Sequence, residues 1–131
     1  MGGRWNSPGT AMVYTSSHLS LAALELLVHI AREDEPPDLV AVYGELDEAG
    51  IEEWLLPSQL PEGWRRVTGS PELKSFGDIW ISEEKSPAIA LPSVIIPEEY
   101  NLLLNPEHPE FSSVFKPLGA RPFSFDSRYF S

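Results

Sequence analysis

Prolines set the grain of this chain. Thirteen of them are scattered through its 131 residues, and no apolar stretch outlasts the one from Leu19 to Ala31. Proline lacks the amide hydrogen that a helix interior or a central strand requires, so most of the chain must fold as short elements joined by turns. The length is that of one ordinary domain. Hydrophobic residues make up 42% of the chain, enough for a core, and there is no internal repeat. A single domain over residues 1–131 is expected.

Asn6-Ser7-Pro8-Gly9 carries turn dipeptides, and Ala11 to Thr15 follows as a short strand. Ser16 or Ser17 offers an N-cap for a helix from about His18 to Arg32, which Pro36-Pro37 stops. Leu39 to Leu46 reads as a strand, mostly buried, and residues 47–70 as irregular, with turns around Pro57, Pro61-Glu62-Gly63 and Gly69-Ser70. Ser70 as N-cap and Pro71 at the first helical position open a second helix running to about Glu84. Leu73, Phe76, Ile79 and Trp80 should face inward from it. Ala88 to Leu91, Val94 to Ile96 and Tyr100 to Leu104 read as short strands, with a break at Pro92-Ser93, and Phe123-Ser124-Phe125 shows strand alternation. Short strands around two helices, without regular βαβ alternation or a G-x-G-x-x-G motif, predict an α+β domain with a mixed or antiparallel sheet.

Charge and composition remove several functions. Nine basic against twenty acidic residues give a net charge of −11, which repels phosphate backbones and argues against direct nucleic-acid binding. The absence of cysteine excludes a disulfide framework, a thiolate nucleophile and a cysteine-ligated zinc site. Histidines at 18, 29 and 108 are too dispersed for a metal set, so no metal is expected. No apolar leader follows Met1, and the longest apolar run falls short of the ~20 residues a membrane span takes. A cytoplasmic protein is expected.

Four side chains stand out. Glu25 is the one carboxylate in a strongly apolar window, Leu19 to Ala31, whose other polar residues are Ser20 and His29; it either shares a solvated stripe with His18 and Arg32, seven residues away on each side, or looks into a cleft. Arg4 follows two glycines, which let a backbone approach closely, and its planar fork suits phosphate or carboxylate; a plain surface arginine is the alternative. Tyr14 reads by default as a sheet aromatic with its hydroxyl at a rim. Ser93 lies at a strand break without the G-x-S-x-G context of a hydrolase nucleophile.

Several segments, in order, resemble one family. Gly2-Gly3-Arg4-Trp5-Asn6-Ser7-Pro8-Gly9, Val13-Tyr14-Thr15-Ser16, Leu24-Glu25-Leu26-Leu27-Val28-His29, Leu91-Pro92-Ser93 and Asn101-Leu102-Leu103-Leu104-Asn105-Pro106-Glu107-His108-Pro109 are similar to the RES domain. The resemblance runs on to Pro122-Phe123-Ser124-Phe125-Asp126-Ser127-Arg128 and covers nearly the whole chain. RES domains are the toxin half of bacterial toxin–antitoxin pairs whose antitoxin is an Xre-like helix-turn-helix protein. The family takes its name from an Arg, a Glu and a Ser, which match Arg4, Glu25 and Ser93.

The resemblance implies an ADP-ribosyltransferase-like α+β fold and an enzyme that degrades NAD+. Arg4, Glu25 and Tyr14 are then the expected catalytic residues, and Arg4, Tyr14 and Ser93 the expected contacts to the dinucleotide. Glu25 would stabilise the cationic sugar formed as nicotinamide leaves. Tyr14 would hold the cationic ring, Arg4 would bind the diphosphate or orient the ribose, and Ser93 would donate a hydrogen bond within the pocket. Family members usually begin earlier, with a strand bearing a Tyr-Arg or Trp-Arg pair, so an N-terminal strand of the family is expected to be missing here. They also tend to have Asn-Tyr where this chain has Asn101-Leu102. A mono-ADP-ribosyltransferase and a catalytically inactive binding module are the alternatives, and a homo-oligomer stays open.

Overall fold

The computed structural model describes residues 2–28, 38–66 and 69–130. Strand β1 (Val13–Ser16) leads into helix α1 (Leu19–Leu27). Strands β2 (Leu39–Leu46) and β3 (Ile51–Trp54) precede helix α2 (Pro71–Glu83). Then come β4 (Ala88–Pro92), β5 (Tyr100–Leu104), the single turn of α3 (Phe111–Val114) and β6 (Phe115–Phe123).

A four-stranded sheet ordered β1-β5-β4-β3 forms the centre. β4 pairs antiparallel with β5 and parallel with β3, and β1 runs antiparallel to β5. The Ala-Ile-Ala-Leu-Pro of β4 is buried at all five positions, as a near-continuous apolar run predicts for a strand covered on both faces. Because side chains alternate across a sheet, Ile89, Leu91 and Leu103 go to one face, where they pack with Trp5, Leu55, Leu73 and Trp80. Ala88, Ala90 and Leu104 go to the other, under Ile51, Phe111 and Phe115.

β2 and β6 form a separate two-stranded antiparallel ribbon with a bulge between Tyr43 and Gly44. Among the described residues, two sheets and three α-helices make a mixed α+β single small domain, consistent with an ADP-ribosyltransferase-like fold. No helix among the described residues is long and apolar enough to cross a membrane.

Several sequence expectations need correction. β2 has the expected bounds but is mostly exposed, Val42 at 74%, because its strand partner is β6 rather than the central sheet. The stretch read as irregular contains β3, whose Ile-Glu-Glu-Trp is too short and too acidic to stand out. Residues Val94 to Ile96 form a turn, not a strand, and β6 ends at Phe123, so Phe125 packs on Phe123, Tyr129 and Phe130 instead of extending it.

In α1 the N-cap is His18, without a side-chain cap bond. Ser16 bonds across the sheet to Asn101, and the Ser17 hydroxyl meets the His18 ring. The expected continuation of α1 and its stop at Pro36-Pro37 lie outside the described residues. Apolar as α1 is, Leu24, Leu26 and Val28 are exposed and Leu21 is its one buried residue.

α2 matches its prediction closely, with Ser70 at N-cap and Pro71 in the first turn, although the Ser70 side chain makes no cap bond. Leu73, Gly77 and Trp80, spaced four and three apart, form its buried face; Ile79 is rotated off it and is 56% exposed. At Gly77 the helix meets the N-terminal loop backbone to backbone. A Cβ there would lie 1.6 Å from the Trp5 carbonyl oxygen and 2.7 Å from its carbonyl carbon.

Gly77→Ala therefore reverses the usual sign. In an open helix interior the change gains about 1 kcal/mol; here it forces the loop off the helix and destabilises by about 1–3 kcal/mol or more. Urea unfolding checks this, and an unchanged or raised midpoint would mean that the loop yields freely.

Candidate active site

Arg4 projects from a turn that is bonded on every side. The Gly3 amide donates to the Asn6 carbonyl at 3.1 Å and to Asn6 Oδ1 at 2.9 Å. Asn6 Nδ2 donates to the Thr10 carbonyl at 2.8 Å. The Tyr14 hydroxyl, from β1, donates to Asn6 Oδ1 at 2.5 Å and accepts from the Trp5 amide at 2.9 Å. From α2, the Lys74 ammonium donates to the Gly3 carbonyl and Asp78 accepts from the Ser7 amide. Ser7 and Thr10 hold the Asp78 carboxyl below its usual range, with Lys74 contributing.

Gly3 is needed because a Cβ would meet the Tyr14 oxygen at 2.6 Å. Its freedom thus serves the approach of Tyr14. Trp5 is buried in the core beside Phe76, and Arg4 Nη1 donates to the Trp64 carbonyl at 3.3 Å.

Glu25 is half-buried and turned toward the sheet rather than onto a solvated stripe. Its Oε1 accepts from the Ser93 hydroxyl at 2.6 Å and from Asn101 Nδ2 at 3.0 Å. Ser93 is fully buried, and its oxygen accepts from the Ile95 and Ile96 amides, both at 3.1 Å. One donation and two acceptances use the whole capacity of a hydroxyl. Ser93 therefore sits behind the Glu25 carboxylate, and its donation goes to that carboxylate rather than into the cavity. The same two amide bonds explain why Val94 to Ile96 turn instead of extending.

β-Sheet alternation brings the pieces together. Tyr14 pairs with Leu103, Ser16 with Asn101, and Asn101 with Leu91, so these side chains share one face. Between that face, α1 and the Arg4 turn lies a cavity of about 430 Å³, a size ordinary for small-molecule sites. Arg4, Tyr14, Glu25 and Asn101 line it, along with Trp5, Leu26, Val94 and Leu103. A guanidinium, an aromatic ring and a carboxylate on apolar walls suit a ligand with anionic and cationic parts. Three of the four residues singled out in the sequence line one cavity, and the fourth braces one of them.

Sequence reasoning missed Asn6 and the role of Asn101. Asn6 is almost fully buried, and the signal for it was the turn it opens; Asn101 appeared only as part of a motif. His108 is held by the Glu84 carbonyl at Nε2 and the Glu110 amide at Nδ1, and His29 lies outside the described residues. Among the described residues no group of three His, Asp or Glu side chains is placed to hold a metal.

Burial pushes the Tyr14 hydroxyl above its ordinary value, and the Asp78 charge adds to this, while the Trp5 amide and Arg4 oppose it. The folded state thus holds this proton more tightly than the unfolded chain. The stabilisation is fully present below about pH 10 and is lost as pH rises through the folded value. In an absorbance titration of the four tyrosines, one should ionise late, and Tyr14→Phe should remove that step and shrink the alkaline loss of stability. A wild-type titration without a late step would contradict the geometry.

The family model described as the RES domain matches residues 1–126. Over 127 residues the chain is 35% identical to the protein named Toxin Res of Yersinia enterocolitica serotype O:8 / biotype 1B, covering 97% of this chain and 83% of that one. It is 36% identical over 129 residues to the Prs ADP-ribosylating toxin of Sphingobium sp. strain YBL2, covering 97% and 80%. A protein named Toxin Res from Pseudomonas putida is 33% identical over 131 residues, covering 98% and 86%. The segments that carry Arg4, Tyr14, Glu25 and Ser93 all fall inside the matched range, and the chain belongs to the RES domain family.

Proposed function

We propose that this chain is a toxin that breaks the nicotinamide–ribose bond of NAD+ in the cytoplasm. The observation that carries the reading is Glu25, a carboxylate held by Ser93 and Asn101 at the wall of a cavity that Arg4 also lines. The names Toxin Res and ADP-ribosylating toxin borne by relatives support it.

In the proposed reaction the C1′–N bond breaks and its electron pair goes to the nicotinamide nitrogen, which leaves neutral. Positive charge grows on the ribose, and Glu25, fixed beforehand, stabilises it there. A departing neutral ring needs no strong general acid. Arg4 binds the diphosphate, and the ring of Tyr14 faces the cationic nicotinamide while its hydroxyl braces the Arg4 turn. Water or phosphate then takes the ribose carbon.

A second reading, transfer of ADP-ribose to a protein side chain, is favoured by the name of the Sphingobium relative. The cavity serves both reactions. Mass spectrometry of a lysate treated with the protein separates them, since added ADP-ribose on a protein marks transfer and free ADP-ribose or its phosphate marks cleavage.

The proposed partner is an Xre-like helix-turn-helix antitoxin that covers the cavity with a segment pairing with Arg4. DNA binding would belong to that partner, because a chain of net charge −11 has no electrostatic footprint for phosphates. Expression of the chain alone should slow bacterial growth and deplete NAD, and co-expression of the antitoxin should reverse both. Normal growth and normal NAD with the lone chain would count against the toxin reading.

Two substitutions test the assigned roles. Glu25→Gln should preserve NAD+ binding yet lower nicotinamide release on the order of 10²-fold, because the charge matters as the sugar becomes cationic. Arg4→Ala should weaken binding and turnover together, by the ~1.5–3 kcal/mol of a charge-assisted hydrogen bond. Arg128, paired on the surface with Asp126 at 2.8 Å, is the control, and Arg128→Ala should change neither. Undiminished turnover in Glu25→Gln, or equal losses at Arg4 and Arg128, would defeat these assignments.

A further inference from the structure

We propose that Asn101, oriented by Ser16, is a positioning residue that fixes the Glu25 carboxylate for catalysis. The proposal rests on the reading of Glu25 given above, and its evidence is a line of hydrogen bonds from β1 through β5 to α1. The Ser16 hydroxyl donates to Asn101 Oδ1 at 2.6 Å, and Asn101 Nδ2 donates to Glu25 Oε1 at 3.0 Å. Ser16 and Asn101 are direct cross-strand partners, and Asn101 is also paired with Leu91 on β4. The amide is thus rooted in an inner strand of the sheet.

Its orientation has a physical cause. A side-chain amide has one accepting end and one donating end. Ser16 donates to the accepting end, which leaves the donating end toward Glu25. Rotated by half a turn, the amide would set its carbonyl against a carboxylate oxygen, acceptor against acceptor. Glu25, which can only accept, selects this orientation, and the Ser16 hydroxyl, which can donate or accept, secures it by donating to the far end of the amide.

The need for such a device follows from the packing of α1. Leu21 is the one buried residue of that nine-residue helix, so its own side chains hold it weakly to the core. Glu25, four residues on, is held by bonds that include those from Ser93 and Asn101, which reach it from the sheet and the turn after β4. Misplacing a reacting group by about 1 Å can cost on the order of 10²-fold in rate. Asn101 thus acts through Glu25, and its loss should fall on kcat.

Three variants and a cycle test this. Asn101→Ala should lower kcat for nicotinamide release on the order of 10-fold or more and leave KM within about twofold. Asn101→Asp keeps the shape but replaces the donor with a second carboxylate, and should lose more than Asn101→Ala; a side chain that merely fills space would show the reverse order. Ser16→Ala, the mildest change, should show a smaller loss of the same kind. In a Glu25→Gln background, Asn101→Ala should have little further effect, since residues acting through one another are not additive.

Wild-type kcat in Asn101→Ala, a loss confined to KM, or full additivity with Glu25→Gln would overturn the proposal. If the wild-type protein releases no nicotinamide, the NAD reading fails, and the relay is judged by NMR of the Asn101 side-chain amide. That resonance should move in both Glu25→Gln and Ser16→Ala, and an unmoved resonance would overturn the relay itself.

Discussion

Ser93 ties together helix α1, the turn after β4 and the loop that leads into β5. It holds the Glu25 carboxylate of α1, and it accepts the two amides that turn the chain after β4. Its own amide donates to the Glu99 carbonyl at 2.8 Å, which closes the loop leading into β5. A buried hydroxyl with all three bonds made is stabilising, while any bond broken leaves a buried polar group exposed to the cost of desolvation. The position is accordingly intolerant in both directions. Alanine strands two amides and loosens a carboxylate, and a larger side chain has no space in a fully buried site.

The opposite wall uses the same device. There the hydroxyl is that of Tyr14, and it accepts from Trp5 and donates to Asn6 within the turn that carries Arg4. In both cases a neutral hydroxyl helps to tie a wall of the cavity to the framework beneath it.

The legibility of this fold in its sequence follows the strength of local signals. α2 was readable nearly to the residue because Ser70-Pro71 marks its start and its apolar spacing is regular. β4 and β5 were readable as apolar runs in the centre of a sheet. β3 and β6 were not. β3 is a short edge strand with two glutamates, and β6 carries Pro117, Gly119 and Pro122, residues that an exposed ribbon tolerates and a central strand does not.

At the site, Arg4, Tyr14, Glu25 and Ser93 were legible through the family resemblance, and the default readings of Tyr14 and Ser93 would not have connected them. Asn6 and Asn101 escaped because an asparagine near a turn or on a strand has no local signature of a buried relay. That role exists only once β1, β4 and β5 are in register.

The two walls of the cavity differ in how firmly they are built, and this difference has a consequence for the proposed reaction. The Arg4 turn is fastened to the core by Trp5, by the backbone contact at Gly77 and by bonds from Lys74, Asp78 and Tyr14. The Glu25 wall is a short helix with one buried leucine, whose functional end is bonded to Ser93 and Asn101. A ligand anchored by its anionic part on the Arg4 side would therefore meet a surface braced from several directions. The carboxylate on the other side is placed by a balance of polar bonds, each worth about 1.5–3 kcal/mol where a charged group takes part. Disturbance of α1, by substitution or by a protein seated on its exposed Leu24, Leu26 and Val28, would then reach the bond-breaking step before it reached binding.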